Sequence, residues 1–208
     1  MKSMLKDTLI LFLITLIAGC ALGVVYEVTK APIENQELKA RQEACQEVFA
    51  DALEFEEVEG MDATKNQEIL TNLGFAQVSI ETVMIARDGS HAPIGIVLTV
   101  TDHEGYGGDI QFMMGIQADG TLNGISILAI GETPGLGMRA EEVLKPQFAN
   151  KKVEQFAYTK SGAMSDNEID AISGATITTN AVTNGVNGGL AYFQETYEEI
   201  VKGGGSNE

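Results

Sequence analysis

Three hydroxyl residues, Thr176, Thr178 and Thr179, stand directly behind the Ser173-Gly174-Ala175 turn in the stretch DAISGATITTN, Asp170 to Asn180. A threonine hydroxyl can cap a helix or become the oxygen of an ester. Gly174 allows a sharp or positive-φ turn, Ala175 keeps the approach uncrowded, and Thr176 falls where a helical pattern begins. The unpaired N–H groups and the dipole of a helix start favour an anion, so a phosphate at Thr176 is stabilised locally. The same residue types also make an ordinary N-cap. SGAM, Ser161 to Met164, shares three letters of the pattern but has no hydroxyl at the fourth.

Several elements must position this stretch. Behind Thr176, the residues Val182, Val186, Leu190, Phe193, Tyr197 and Ile200 recur at steps of three and four, which predicts a long helix with one packed face. A shorter helical pattern lies near Arg139 to Phe148. Upstream, Ile94, Ile96, Leu98 and Val100 alternate, as do Ile110, Phe112, Met114 and Ile116, which is the period of strands. Asp88-Gly89 and Asp119-Gly120 supply hairpin turns. Pro32 marks the expected exit from a first helix, and an amphipathic helix follows over Glu34 to Leu53, with Leu38, Cys45, Val48, Phe49 and Leu53 on its apolar face. Cys45 reads as a small core residue. The whole predicts an α+β fold: one domain with a central antiparallel sheet and flanking helices.

Thr8 to Val25 carries no charge and is long enough to cross a hydrocarbon core of ~30 Å. With Lys2 and Lys6 before it, residues 1–7 are expected in the cytoplasm, 8–26 in the membrane, 27–202 outside, and 203–208 as a disordered tail. Ile17 to Cys20, IAGC, also resembles a lipoprotein signal with Cys20 as the lipidated residue, but the apolar run continues through ALGVVY, which favours a retained span. The chain has 13 basic and 30 acidic residues and a formal net charge of -17. Such a surface repels nucleic acid, and any phosphate must be held by local means. Two cysteines without a CxxC pair, and two histidines, give too few ligands for a zinc, haem or iron–sulfur site.

DAISGATITTNAV resembles the flavinylation motif Asp-x-x-Ser-Gly-Ala-Thr, in which the final threonine carries FMN through a phosphoester. Three more blocks agree: GETPGLGMR around Glu132 to Gly137, GYGG at Gly105 to Gly108, and VTKAPI after the span. Together they are similar to the FMN-binding G subunit of Rnf electron-transport complexes and, less specifically, to the C subunit of sodium-translocating NADH:quinone reductases. The resemblance implies covalent FMN on Thr176, with Ser173, Gly174, Ala175, Ile177, Thr178 and Thr179 around it and Glu132, Thr133 and Leu136 as further contacts. It implies a flavin transferase during maturation, other membrane and peripheral Rnf subunits as partners, a bacterial membrane location and no catalytic acid or base in this chain. Family members often carry histidine two residues before the glutamate of the second block. Here that position is Ile130, so no such role carries over. A lipid-anchored binding protein, with Thr176 as a plain cap, and a stand-alone flavin reductase or regulatory flavoprotein are the other classes.

Overall fold

The computed structural model describes residues 2–203; Gly203 of the expected 203–208 tail is the end of the last helix, and the rest of that tail lies outside the described residues. The chain divides into two compact units, one ending at Arg41 and one beginning at Gln42.

Helix α1 runs from Lys2 to Val48. Its apolar stretch is long enough to cross a membrane, and Leu9, Phe12, Ile14, Leu16 and Ile17 all stand exposed on its surface. Pro32 does not end it. Proline removes one backbone donor at a cost of ~3 kcal/mol, and the following ENQELKARQEA is rich enough in strong helix formers to carry the helix through. The predicted apolar face needs two corrections. Leu38 and Leu53 are 61% and 73% exposed, and the packed residues are Ala44, Cys45, Val48 and Phe49. Leu53 lies beyond the helix end, so helical spacing does not apply to it.

Five strands follow in antiparallel order: β1 (Glu54–Glu57), β2 (Val78–Arg87), β3 (Pro93–Asp102), β4 (Ile110–Gln117) and β5 (Leu122–Ile130). Both predicted hairpins form, at Asp88-Gly89 and Asp119-Gly120. Helix α2 (Ala63–Asn72) was not expected. It starts at Asp62, whose side chain accepts from the N–H groups of Thr64 and Lys65, an N-cap of the usual kind.

The sheet is covered on both faces. One face carries Ile96, Leu98, Val100, Ile110, Phe112, Met114 and Ile116 into the main core. The other carries Ala86, Val97 and Met113 against Ala44, Cys45, Val48 and Phe49. Ile94 departs from its predicted face and packs with this second cluster. A register shift between Ala86 and Arg87 sets it there, since one extra residue inverts which face the side chains take.

After β5 comes a short run of helical turns: a 3-10 turn at Gly137–Arg139, α3 (Ala140–Val143) and a second 3-10 turn at Lys145–Phe148. Pro146 in the second of these prevents one continuous helix. A parallel pair, β6 (Ala157–Thr159) and β7 (Glu168–Asp170), leads into α4 (Thr176–Gly203). On α4 the expected residues Val182, Val186, Leu190, Phe193 and Ile200 are buried and Tyr197 is half-buried. Full burial of such a side chain contributes ~1.5–3 kcal/mol. The helix also seats on the sheet through glycine: a Cβ at Gly189 would lie 2.2 Å from Met114 Sδ, and one at Gly185 would lie 2.9 Å from the Phe112 ring.

Candidate functional site

Thr176 is the first residue of α4 and is half-buried. The chain reaches it through a tight turn in which the Ala175 N–H donates to the Ile172 carbonyl at 3.0 Å. Gly174 takes φ of +81° at the third position of that turn, a conformation an L residue adopts only with strain. The first helical hydrogen bond is donated by Thr179 N–H to Ala175 O at 3.0 Å. The N–H groups of Thr176, Ile177 and Thr178 precede it and form the open donor end of the helix.

The three hydroxyls are not equivalent. Thr179 is fully buried; its Oγ1 accepts from the Ile172 N–H at 3.1 Å and donates to the Ala175 carbonyl at 2.9 Å. It latches the turn to the helix. Thr178 is 1% exposed, and its Oγ1 lies 2.6 Å from where a Cβ on Gly137 would stand. Of the three, Thr176 alone combines a place at the helix start with access to solvent.

The separate sequence blocks meet here. A Cβ on Gly137 would also lie 2.7 Å from both Cβ and Oε2 of Glu132. The Gly107 N–H donates to Glu132 Oε1 at 3.2 Å, and a Cβ on Gly107 would stand 2.2 Å from the Gly131 carbonyl oxygen. The Gly105–Gly108 loop therefore lies backbone to backbone on Gly131 and Glu132. Leu136 Cδ2 is 3.2 Å from the Cβ position of Gly174. Glu132 is 4% exposed, with its carboxylate turned in among these glycines. Thr133 is exposed and its carbonyl folds the loop by accepting from Leu136 and Met138 N–H. Ser173 and Gly174 are exposed, and Ala175 is buried. Apolar Tyr106, Leu136 and Ile177 stand 70%, 42% and 52% exposed on these same loops and the helix start. Apolar side chains left in water on converging segments form a surface suited to a flat aromatic ligand.

Asp170, the first residue of the motif, has a structural role. Its Oδ1 accepts from Ala163 N–H at 2.8 Å and so holds the SGAM turn. Its own backbone is gripped by the Gln147 amide, which accepts from Asp170 N–H at 2.6 Å and donates to Asp170 O at 3.1 Å. Asn187 on α4 grips Phe156 in the same way, at 2.8 and 3.0 Å. Neither amide was legible in the sequence, since a lone Gln or Asn carries no spacing signal.

Asp102, at the end of β3, was also missed because it reads as a turn residue. It is fully buried; Oδ1 accepts from Glu104 N–H at 2.8 Å, and Oδ2 has no partner among the described residues. Burial pushes its carboxyl up to about 6; the Glu104 N–H and the His103 charge oppose this, and the charges of Glu104 and Asp109 add to it. Because the folded value lies above the unfolded one, the folded state binds the proton more tightly and stability is lost as pH rises through roughly 4 to 6. Asp102→Asn keeps the bond to Glu104 and cannot ionise. Relative to the variant, the wild type is expected to lose ~2 kcal/mol between pH 4 and pH 7.5, read as a widening gap in thermal midpoints of the detergent-solubilised chain. A constant gap would show that Asp102 does not titrate in this range.

The fold and this site define an FMN-binding domain: residues 105–191 match the FMN-binding domain family, and residues 1–48 match the RnfG N-terminal region. The chain is 36% identical to the G subunit of the Na(+)-translocating ferredoxin:NAD(+) oxidoreductase complex of Acetobacterium woodii, over 93% of this chain and 93% of that one. It is 29% identical to the G subunit of an ion-translocating oxidoreductase complex of Methanosarcina acetivorans, over 92% and 95% of the two chains. A crystal structure of NqrC from Shewanella oneidensis aligns over 57% of this chain and 60% of that one, at 21% identity and a TM-score of 0.48. This chain belongs to the family of G subunits of Rnf-type ion-translocating oxidoreductase complexes.

Proposed function

We infer that this chain is an electron-relay component of a membrane-bound, ion-translocating ferredoxin:NAD oxidoreductase complex and carries FMN covalently through a phosphoester on Thr176. The observation that carries the reading is the convergence of the glycine loop, the Glu132–Gly137 loop and the Ser173–Thr176 turn at the start of α4. The match of residues 1–48 to the RnfG N-terminal region supports this assembly over a quinone-reductase one.

The residues fit the group. Thr176 is half-buried rather than enclosed, the open N–H groups at the start of α4 would favour a phosphate there, and Leu136, Tyr106 and Ile177 would offer apolar surface to the ring. Attachment from FAD would join the Thr176 oxygen to the flavin-side phosphorus in place of AMP, which would leave with the electron pair of the broken pyrophosphate bond while the hydroxyl proton is released. Among the described residues no histidine or lysine hydrogen-bonds to Thr176, so an external, magnesium-dependent flavin transferase supplies the activation. Ser173, Gly174 and the Asp170-held backbone then serve as its recognition surface. Bound FMN supplies the redox chemistry that passes electrons between centres of the complex. The chain's own residues position the group, and a covalent link keeps it from dissociating into the outside volume. The orientation follows Lys2 and Lys6 on the cytoplasmic side of α1, with the domain outside.

Peptide mass spectrometry of the native chain tests this directly. The peptide containing Thr176 is expected to carry one FMN mass, and denatured protein is expected to fluoresce as a flavoprotein on a gel. Flavin released by denaturation, with Thr176 unmodified, overturns the covalent reading. The same spectrum reports whether Cys20 is lipidated.

A further inference from the structure

A second concave surface lies at the other end of α4. A cavity of about 680 Å³ opens between the segment after β1, helix α2 and the last turns of α4. Its floor is apolar: Val58, Met61 and Ile69 are half-buried, and Ile85 and Ile200 are buried. Deeper in, the Tyr192 hydroxyl donates to Asn66 Oδ1 at 2.9 Å, which satisfies both buried polar groups.

The rim has the opposite character. Glu56, Glu57, Glu59, Asp62 and Glu199 line it, and Lys65 is the one cation among the described lining residues. Lys65 pairs with Glu199 at 3.1 Å, and Glu56 is held from outside the lining by Arg87 at 2.7 Å. Glu57 and Glu59 are exposed. An apolar floor beneath a rim of carboxylates matches a side chain with an aliphatic stem and a cationic head, which is the build of lysine and arginine.

We propose that this cavity is a docking site for a lysine- or arginine-bearing segment of a partner polypeptide. Charge complementarity selects the occupant: a chain of net charge -17 repels acidic partners and anionic headgroups alike. A strongly cationic insert here meets both the rim charges and the buried floor. The chain's own GGGSNE end is acidic and lacks an apolar anchor, so it does not fit. From Thr176 the cavity residues on α4 lie roughly 25–35 Å along the helix axis, at about 1.5 Å per residue. Docking therefore leaves the Thr176 surface clear, and this inference does not depend on flavin attachment.

The test uses the full chain in its native membrane with a benzophenone amino acid at Met61, on the cavity floor, and a second version with the probe at Lys65, on the rim. Irradiation followed by digestion with a glutamate-specific protease and mass spectrometry is expected to yield a cross-linked peptide from another polypeptide with Lys or Arg at the attachment point. Adding Glu57→Lys and Glu59→Lys is expected to lower that yield at least about fivefold, while the corresponding Gln pair gives a smaller drop. Adducts to lipid or to the chain's own end, no adduct from either position in folded protein, or a yield indifferent to charge reversal would each overturn the proposal. In-gel flavin fluorescence measured on the same samples stays unchanged in every variant, so failure of the docking site and failure of the flavin assignment are read separately.

Discussion

Thr176→Ala, coexpressed with a flavin transferase, is expected to lose all covalent flavin while the domain stays folded. The hydroxyl is the only atom through which the phosphoester can form at this position, so the effect on occupancy is from full to none. The effect on stability is small. Thr176 is half-buried at the first position of α4, and its side chain makes no hydrogen bond among the described residues; truncation there changes stability by about 1 kcal/mol or less. In-gel fluorescence and circular dichroism together check both halves. Thr178→Ala and Thr179→Ala provide the contrast, since each should keep the adduct on Thr176 in its folded fraction. Covalent flavin retained in Thr176→Ala would refute the assignment. An adduct lost from a well-folded Thr178→Ala would move the attachment point.

Gly107→Ala is expected to damage the packing of the two loops severely. Its Cβ would arrive 2.2 Å from the Gly131 oxygen and 3.2 Å from the Glu132 Cα, both backbone atoms that cannot swing aside. Either the glycine loop lifts off or the strand end moves, and both break the Gly107 N–H bond to the buried Glu132 carboxylate. Overpacking and the loss of a charge-assisted bond together cost ~2–4 kcal/mol. For a chain of this size that lowers the melting temperature by ~5–15 °C, and flavin occupancy should fall with it. Gly131→Ala is the control in the same contact: its nearest atom, the Gly107 oxygen, is 3.4 Å away, an ordinary contact. Equal, small shifts in both variants would mean the two loops are not packed as a unit.

Much of this arrangement could be read in advance, for physical reasons that differ by element. The hairpin strands were legible because Ile110, Phe112, Met114 and Ile116 alternate cleanly and Asp-Gly pairs fix the turns. The α4 face was legible because its apolar residues keep helical spacing over many turns. Ile94 was misplaced because a bulge inverts parity without leaving a mark in composition. The helix across Pro32 was misjudged because local proline chemistry was outweighed by the strong helix formers that follow it. Strand β1, with three glutamates in four residues, shows no apolar period, since it sits at the sheet edge. At the site, the Ser-Gly-Ala-Thr turn was visible, while the burial that separates Thr176 from Thr178 and Thr179 was not. That distinction comes from packing against Gly137 and from the latch to Ile172, which are contacts made only once the chain has folded.

The glycines that seat α4 on the sheet have a mechanical consequence. With Gly185 and Gly189 set down on the Phe112 ring and Met114 Sδ, the helix brings no side chain of its own to those points. Helix and sheet are expected to move together at those contacts, with Thr176 at one end of α4 and the wall of the acidic cavity at the other. A displacement imposed at Tyr192 or Ile200 is then expected to reach Thr176 rather than be taken up between the layers. With the flavin on Thr176, as proposed, whatever holds the far end of α4 would also help set the distance over which electrons travel at the near one.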